Sequence, residues 1–275
     1  MRKTLLSIII SFVVLVSGYN PGADLDEIPV FLYHMVKEEL EEGDSPLMVV
    51  SVDKFEEDLR YLQEKGYTAI DLHTLYEAYN RPGTELPQKP VLITFDDGYL
   101  NNYEFAYPLL ERYNTRASIF MIVWSVGRDK FILNDKPINP HFTWEQAKEM
   151  LDSGLIEFGS HTFDLHNPEG LSYGYEEACG YGLGPIKGEG EEDYYNRIYG
   201  DLKKSREIME ERLGPSVGAL AYPYGFYNDT VIEAVKSAGF QLAFITESQE
   251  PKNSPFEIRR IIVGENLKME EILEK

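Results

Sequence analysis

The chain is short of thiols. Its 275 residues include one cysteine, Cys179, so no internal disulfide can form and a closed structural zinc site built on thiolates is excluded. Positive charge is also scarce: 26 Lys and Arg face 47 Asp and Glu, for a net charge of -21. That balance opposes the phosphate-driven attraction on which nucleic-acid proteins depend, so no nucleic-acid partner is expected. The longest apolar stretch, residues 5–16, is short for a membrane-spanning helix. It follows Met1-Arg2-Lys3-Thr4 and leads into Ser17-Gly18, the charged, apolar and small-residue regions of a secretory signal over residues 1–18. An uncleaved N-terminal anchor is the alternative, and it would be the chain's one link to a membrane. The mature protein is expected to be secreted, in the extracellular space or at the cell surface. Residues 19–275 then remain, enough for one large α/β domain with a sizeable core.

Strand-like and helix-like patterns alternate along this remainder. Short apolar runs at 30–33, 67–70, 91–95, 117–122, 156–159, 218–222, 242–245 and 259–263 read as strands. Helical spacing marks 52–65, where Phe55, Leu59 and Leu62 share a face and Gly66 is a stop, and also 102–113, 143–153, 193–213 and 228–238. Repeated β-α units imply a parallel sheet, and polar residues gathered at strand ends suit a barrel. Residues 166–190, rich in Gly, Tyr and Glu, read as a loop insertion over the site, with a surface excursion as the plainer alternative.

Two strand ends carry chemistry. Val91-Leu92-Ile93-Thr94-Phe95-Asp96-Asp97-Gly98 delivers two adjacent carboxylates to a glycine turn. Helix capping accounts for one Asp but not for two. Successive side chains on a strand point to opposite sides, so neighbouring aspartates can divide labour between a cation and a proton. About sixty residues on, Ile156-Glu157-Phe158-Gly159-Ser160-His161-Thr162-Phe163-Asp164-Leu165-His166 ends another apolar run with two of the chain's five histidines. Two imidazoles and a carboxylate can fill three positions of a divalent metal and leave the others open to water and substrate, a catalytic layout.

Thr-Phe-Asp-Asp-Gly together with Ser-His-Thr-x-x-x-His resembles the polysaccharide deacetylase family, carbohydrate esterases with a NodB homology domain. The likeness runs from about Ile28-Pro29-Val30-Phe31-Leu32-Tyr33-His34 through Ala221-Tyr222-Pro223-Tyr224-Gly225 to Arg260-Ile261-Ile262-Val263, and is nearest to the branch that acts on poly-N-acetylglucosamine. It implies a distorted, incomplete (β/α) barrel of seven strands with the site at their carboxyl ends. It further implies Asp96 as catalytic base and Asp97, His161 and His166 as ligands of a divalent metal, zinc first, with cobalt, nickel or iron as other candidates. Thr162 would support the site, and Tyr224 would line the groove and help hold the oxyanion. The implied partner is an acetylated polysaccharide, processed by a monomer.

Two departures from the family pattern bear on the mechanism. Where many members carry an arginine that orients the base, this chain has Ala221, and no histidine follows His166 to protonate the leaving group. His34 is the candidate for that acid, with a buried structural histidine as the alternative. Arg260 is a candidate charge near the base, with a surface ion pair as the alternative. His73 and His141 match no motif and read as structural or solvated. Trp124, Tyr173, Tyr175 and Tyr181 could stack on sugar rings or simply pack a loop. The reading is a metal-dependent hydrolase that removes N-acetyl groups from a β-linked N-acetylglucosamine polymer. The alternatives are an O-acetyl esterase on a xylan-like polysaccharide and a carbohydrate-binding relic without turnover.

Overall fold

All eight residues of strand β5 (Pro90–Asp97) are buried, as a strand with protein on both faces requires. The computed structural model describes residues 25–132, 135–166, 182–215, 218–246 and 254–273; the signal at 1–18, Cys179, Tyr173, Tyr175, Tyr181 and most of the 166–190 insertion lie outside these. In it β5 pairs in parallel with β1 (Val30–Tyr33) on one side and β6 (Ala117–Met121) on the other. The ring continues through β7 (Ile156–Ser160), β8 (Ala219–Ala221), β9 (Leu242–Thr246) and β10 (Ile258–Ile262), and β10 pairs back onto β1. Seven parallel strands close a (β/α) barrel. The closure is uneven, because β7 and β8 share a single register pair, Ser160↔Leu220.

Side-chain parity decides what faces inward. Phe120 on β6 and Phe244 on β9 are not on neighbouring strands, yet their rings lie 5.1 Å apart, so they meet across the interior. The same cluster holds Val30, Leu92, Ala219, Ala221, Leu242 and Ile258, with Leu72 and Leu75 of α2 (Leu72–Asn80). Gly159 makes room for this filling, since a Cβ there would lie 2.4 Å from the Phe120 ring. Alternate residues Val91, Ile93 and Phe95 join the outer core, together with Phe55 and Leu59 of helix α1 (Val52–Glu64). On the far side, α5 (Glu191–Leu213) and α6 (Asp229–Ser237) cover β8 and β9 through Ile198, Leu202, Val231 and Val235. Removing any of these large apolar side chains should cost roughly 2–5 kcal/mol.

The elements expected from the sequence are present, with ends shifted by one or two residues. The stretch 102–113 is the exception. It is a π turn over Asn102–Ala106 followed by α3 (Tyr107–Arg112), because Pro108 has no N–H to continue the helical ladder and the backbone widens before it. Strand β4 (Thr68–Ala69) beside the start of β5 and α4 (Trp144–Asp152) behind a Thr143 capping box answer to the expected 67–70 and 143–153, and the chain forms in addition α2, a short parallel pair of β2 (Met35–Lys37) with β3 (Val49–Ser51), and a closing α7 (Met269–Leu273). Among the described residues no helix is long and apolar enough to cross a membrane.

Candidate metal centre and catalytic cleft

Leu92, Thr94 and Asp96 point into the barrel on alternate positions of β5, so Asp96 is the last inward side chain of the strand. Arg260 stands on β10, the strand on the other side of β1, on the same parity as inward-facing Ile258. These strands are not neighbours, yet the guanidinium makes a two-pronged contact to the Asp96 carboxylate, Nη1 to Oδ1 at 2.6 Å and Nη2 to Oδ2 at 2.8 Å. Arg260 is 0% and Asp96 3% exposed. The alternative of a surface ion pair for Arg260 is therefore wrong: strand parity carries it inward, and burial makes the paired geometry necessary. Burial alone would raise the Asp96 pKa, but Arg260 and then His161 outweigh it and hold the group at about 2.

Asp97 departs from strand geometry. Its φ of 72° is left-handed, a conformation few non-glycine residues adopt, and Gly98 follows at φ 83°. Gly98 is tightly enclosed, since a Cβ there would meet the Met121 and Phe142 side chains at 3.1 and 3.3 Å. This turn moves the Asp97 side chain away from the barrel axis and toward the segment after β7. There the Nε2 atoms of His161 and His166 lie 3.6 and 3.3 Å from Asp97 Oδ1.

The three ligand-type atoms lie within 4.8 Å of one another. Asp97 Oδ1 is buried and has no hydrogen-bond partner, which is the environment a cation would satisfy. His161 Nδ1 donates to the Ala221 carbonyl at 2.8 Å, which fixes the tautomer and leaves Nε2 facing Asp97. The donor set of one carboxylate and two imidazoles fits a divalent transition metal. Burial first, with Asp97 opposing it, lowers the His166 pKa to about 4, so the imidazole is neutral and free to ligate near neutrality.

The histidine segment is anchored from behind. Asp201 on α5 accepts the backbone N–H groups of Phe163 and Asp164 at 2.8 and 2.9 Å, and the Ser160 and Ser205 hydroxyls are bonded at 2.7 Å. Thr162 takes a left-handed φ of 72° and its N–H donates to Ser160 Oγ at 2.9 Å. Its own hydroxyl is buried and makes no hydrogen bond among the described residues. Tyr224 also has a left-handed φ, 56°, in the turn Pro223–Gly225. Its hydroxyl donates to the His166 carbonyl at 3.0 Å and its ring stacks on the His166 ring at 4.7 Å, so it pins one ligand while remaining 46% exposed.

His34 follows the last residue of β1, where Tyr33 is in register with Phe95, so it lies abreast of Asp96. Its Nδ1 is buried without a partner, and burial lowers its pKa against the pull of Asp97 and Asp96. Beside the metal-type cluster opens a cleft of about 600 Å³ lined by Tyr99, Trp124, Phe131, His141, His166 and Tyr224 among others. Trp124 thus reaches the cleft, stacked on Phe131 at 5.7 Å. His141 lines it as well and is buried, so it is not a solvated residue, whereas His73 is exposed on α2. Tyr99 and Phe131 had no sequence signal, because loops bring them in from outside every motif.

The polysaccharide deacetylase family model matches residues 83–243. The chain is 28% identical over 265 residues to a poly-beta-1,6-N-acetyl-D-glucosamine N-deacetylase of Escherichia coli (strain K12), a match covering 88% of this chain and 37% of that protein. It is 31% identical over 219 residues to a protein of the same name from Staphylococcus aureus (strain MSSA476), covering 79% of this chain and 68% of the relative. The chain thus spans little more than a third of the Escherichia coli protein. Among solved structures, a de-N-acetylase from Aggregatibacter actinomycetemcomitans matches with a TM-score of 0.74 and 27% identity, over 90% of this chain and 98% of that one. A family model that matches more than half of its length, and a relative 31% identical over 219 residues, show that the chain belongs to the polysaccharide deacetylase family.

Proposed function

We propose that this chain is a metal-dependent hydrolase that removes N-acetyl groups from a β-linked N-acetylglucosamine polymer. The observation that carries the reading is the Asp97, His161 and His166 cluster set beside a separately held Asp96 at the mouth of the barrel. The names of the relatives support the amino-sugar polymer as substrate. A divalent cation bound by those three residues, zinc first, supplies Lewis acidity that polarises the acetyl carbonyl and eases deprotonation of water.

The chain's own residues do the rest. Asp96, kept ionised by Arg260, accepts the proton of the attacking water. The proton that Asp96 takes from water passes to His34, which gives it to the nitrogen as the C–N bond breaks, so an amide and water become acetate and an amine. Tyr224 and Thr162 hold the ligand segment, and the Tyr224 turn faces the position of the oxyanion. The relic reading loses one of its two supports, because Arg260 gives Asp96 the positive partner that Ala221 lacks. The proposed setting is extracellular or at the cell surface, after removal of residues 1–18.

The test is acetate release from poly-N-acetylglucosamine, peptidoglycan and acetylated xylan, before and after chelation and after adding back zinc or cobalt. Release from the amino-sugar polymer that chelation abolishes and metal restores is expected. Preferential release from xylan would replace the substrate reading with the O-acetyl esterase. Full activity in demetallated protein would remove the metal. An open three-ligand site leaves the core intact, so far-UV circular dichroism should not change on chelation.

A further inference from the structure

The segments 98–100 and 140–142 are tied together by backbone bonds. Leu100 N–H donates to the Pro140 carbonyl at 2.7 Å, Phe142 N–H donates to the Gly98 carbonyl at 3.3 Å, and Tyr99 and His141 form an antiparallel bridge. The loop carrying His141 is thereby fixed to the turn that carries Asp97. Its imidazole lies against the Tyr99 ring at 5.1 Å and lines the cleft shared with His166, Tyr224 and Trp124.

His141 is 8% exposed; the backbone carbonyls of Asn139 and Arg128 lie near its ring, but neither ring nitrogen makes a well-formed hydrogen bond among the described residues. A histidine kept for packing would have its nitrogens satisfied by the protein, because an unsatisfied buried polar atom costs stability. The His141 nitrogens are left without a strong protein partner on the wall of the cleft. Burial, opposed by Asp97, holds its pKa at about 4, so near neutrality it presents one donor and one acceptor. Sugar hydroxyls, each both donor and acceptor, match that pair, and the stacked Trp124 and Phe131 rings offer an apolar wall for a pyranose face.

We propose that His141 is a substrate-recognition residue, whose imidazole hydrogen-bonds hydroxyl groups of the acetylated sugar seated beside the metal centre. The proposal rests on the deacetylase reading and adds to it the residue that reads the sugar. It separates His141 from His34: one holds the ring, the other serves the leaving nitrogen.

The test compares wild type with His141→Phe, which keeps a ring against Tyr99 and deletes both nitrogens, and with His141→Asn, which restores a donor and an acceptor. Metal-loaded proteins are assayed on the acetylated oligosaccharide that the wild type turns over, drawn from β-1,6-linked N-acetylglucosamine and xylan oligomers, and on an aryl acetate that has no sugar. His141→Phe is expected to raise KM and the dissociation constant of the deacetylated product on the order of ten- to hundredfold. Its kcat should stay within about threefold and its aryl acetate hydrolysis unchanged, with partial recovery in His141→Asn. Unchanged KM and product affinity overturn the proposal. A fall in kcat confined to the saccharide would make His141 a proton donor, and equal losses on both substrates would make it structural. If His141→Phe does not fold, His141→Asn and His141→Gln carry the same comparison. A wild-type chain inactive on every saccharide but active on the aryl acetate overturns the deacetylase reading and this one with it.

Discussion

The Asp96–Arg260 contact makes the sharpest demand on the protein, because both groups are buried and each is the other's main compensation. Breaking such a pair from one side typically costs about 3–5 kcal/mol, since it strands a charge in the interior. Arg260→Met, close in volume and uncharged, should destabilise the metal-free protein by about that amount in urea unfolding at pH 7. Arg260→Lys keeps the charge but loses the fork, so it should lose less. The double variant with Asp96→Asn should lose less than the sum of the single variants, the signature of a direct interaction.

The pH dependence has a definite sign. Asp96 has an ordinary value of 3.8 and is held at about 2 in the fold. A depressed carboxylate contributes stability above the unfolded value and loses it as pH falls through the folded one, so about 2 kcal/mol should vanish between roughly pH 4 and pH 2. In Arg260→Met burial acts against a weaker opposition, so the Asp96 pKa rises and the loss moves to higher pH. The acid limb of the activity profile should rise with it, because a protonated Asp96 cannot accept a proton. If Arg260→Met unfolds within about 1 kcal/mol of wild type and its pH profile overlays the parent, Asp96 does not depend on Arg260 and the electrostatic account fails.

Two further predictions concern neighbouring groups. His34→Ala should keep fold and metal but slow N-deacetylation far more than hydrolysis of an activated aryl acetate, whose leaving group departs without a proton; equal losses on both substrates would assign it to positioning. Asp201→Ala removes the acceptor of the Phe163 and Asp164 N–H groups, so isothermal titration should show zinc affinity about 10–100-fold weaker with the ligands themselves untouched; wild-type affinity would mean that the histidine segment holds its own shape.

Much of this site was legible because it lies at strand ends that the sequence marks plainly. A buried apolar run ending in Asp-Asp-Gly, and a second ending in Gly-Ser-His, announce where side chains leave the core. Arg260 was legible in principle: in Ile258-Arg259-Arg260-Ile261-Ile262 strand parity sets it on the face of Ile258, but two adjacent arginines on a strand at the end of the chain also fit a solvated edge. Asp201 gave no signal, since an acid in a long helix is usually at the surface, and only the packing of α5 against the segment after β7 turns it inward. His141 and Tyr99 were beyond reach for another reason. Their meeting depends on two loops joined by backbone bonds, and no periodicity encodes which loops touch.

The exchange between positions 221 and 260 follows from ring closure. In a closed barrel the carboxyl ends of all the strands face one mouth, so a guanidinium can reach Asp96 from any strand whose parity is inward. Ala221 on β8 and Arg260 on β10 both face that interior, and both are fully buried. A second arginine at 221 would bring two positive groups into one low-dielectric mouth with a single Asp96 to share, a repulsion that burial makes severe. A small residue at 221 is therefore the counterpart of the arginine at 260. Position 221 still serves the site through its carbonyl, which takes the His161 Nδ1 proton and needs no particular side chain. Asp96 keeps its positive partner and His161 keeps its orientation, although the charge is carried two strands further round the ring.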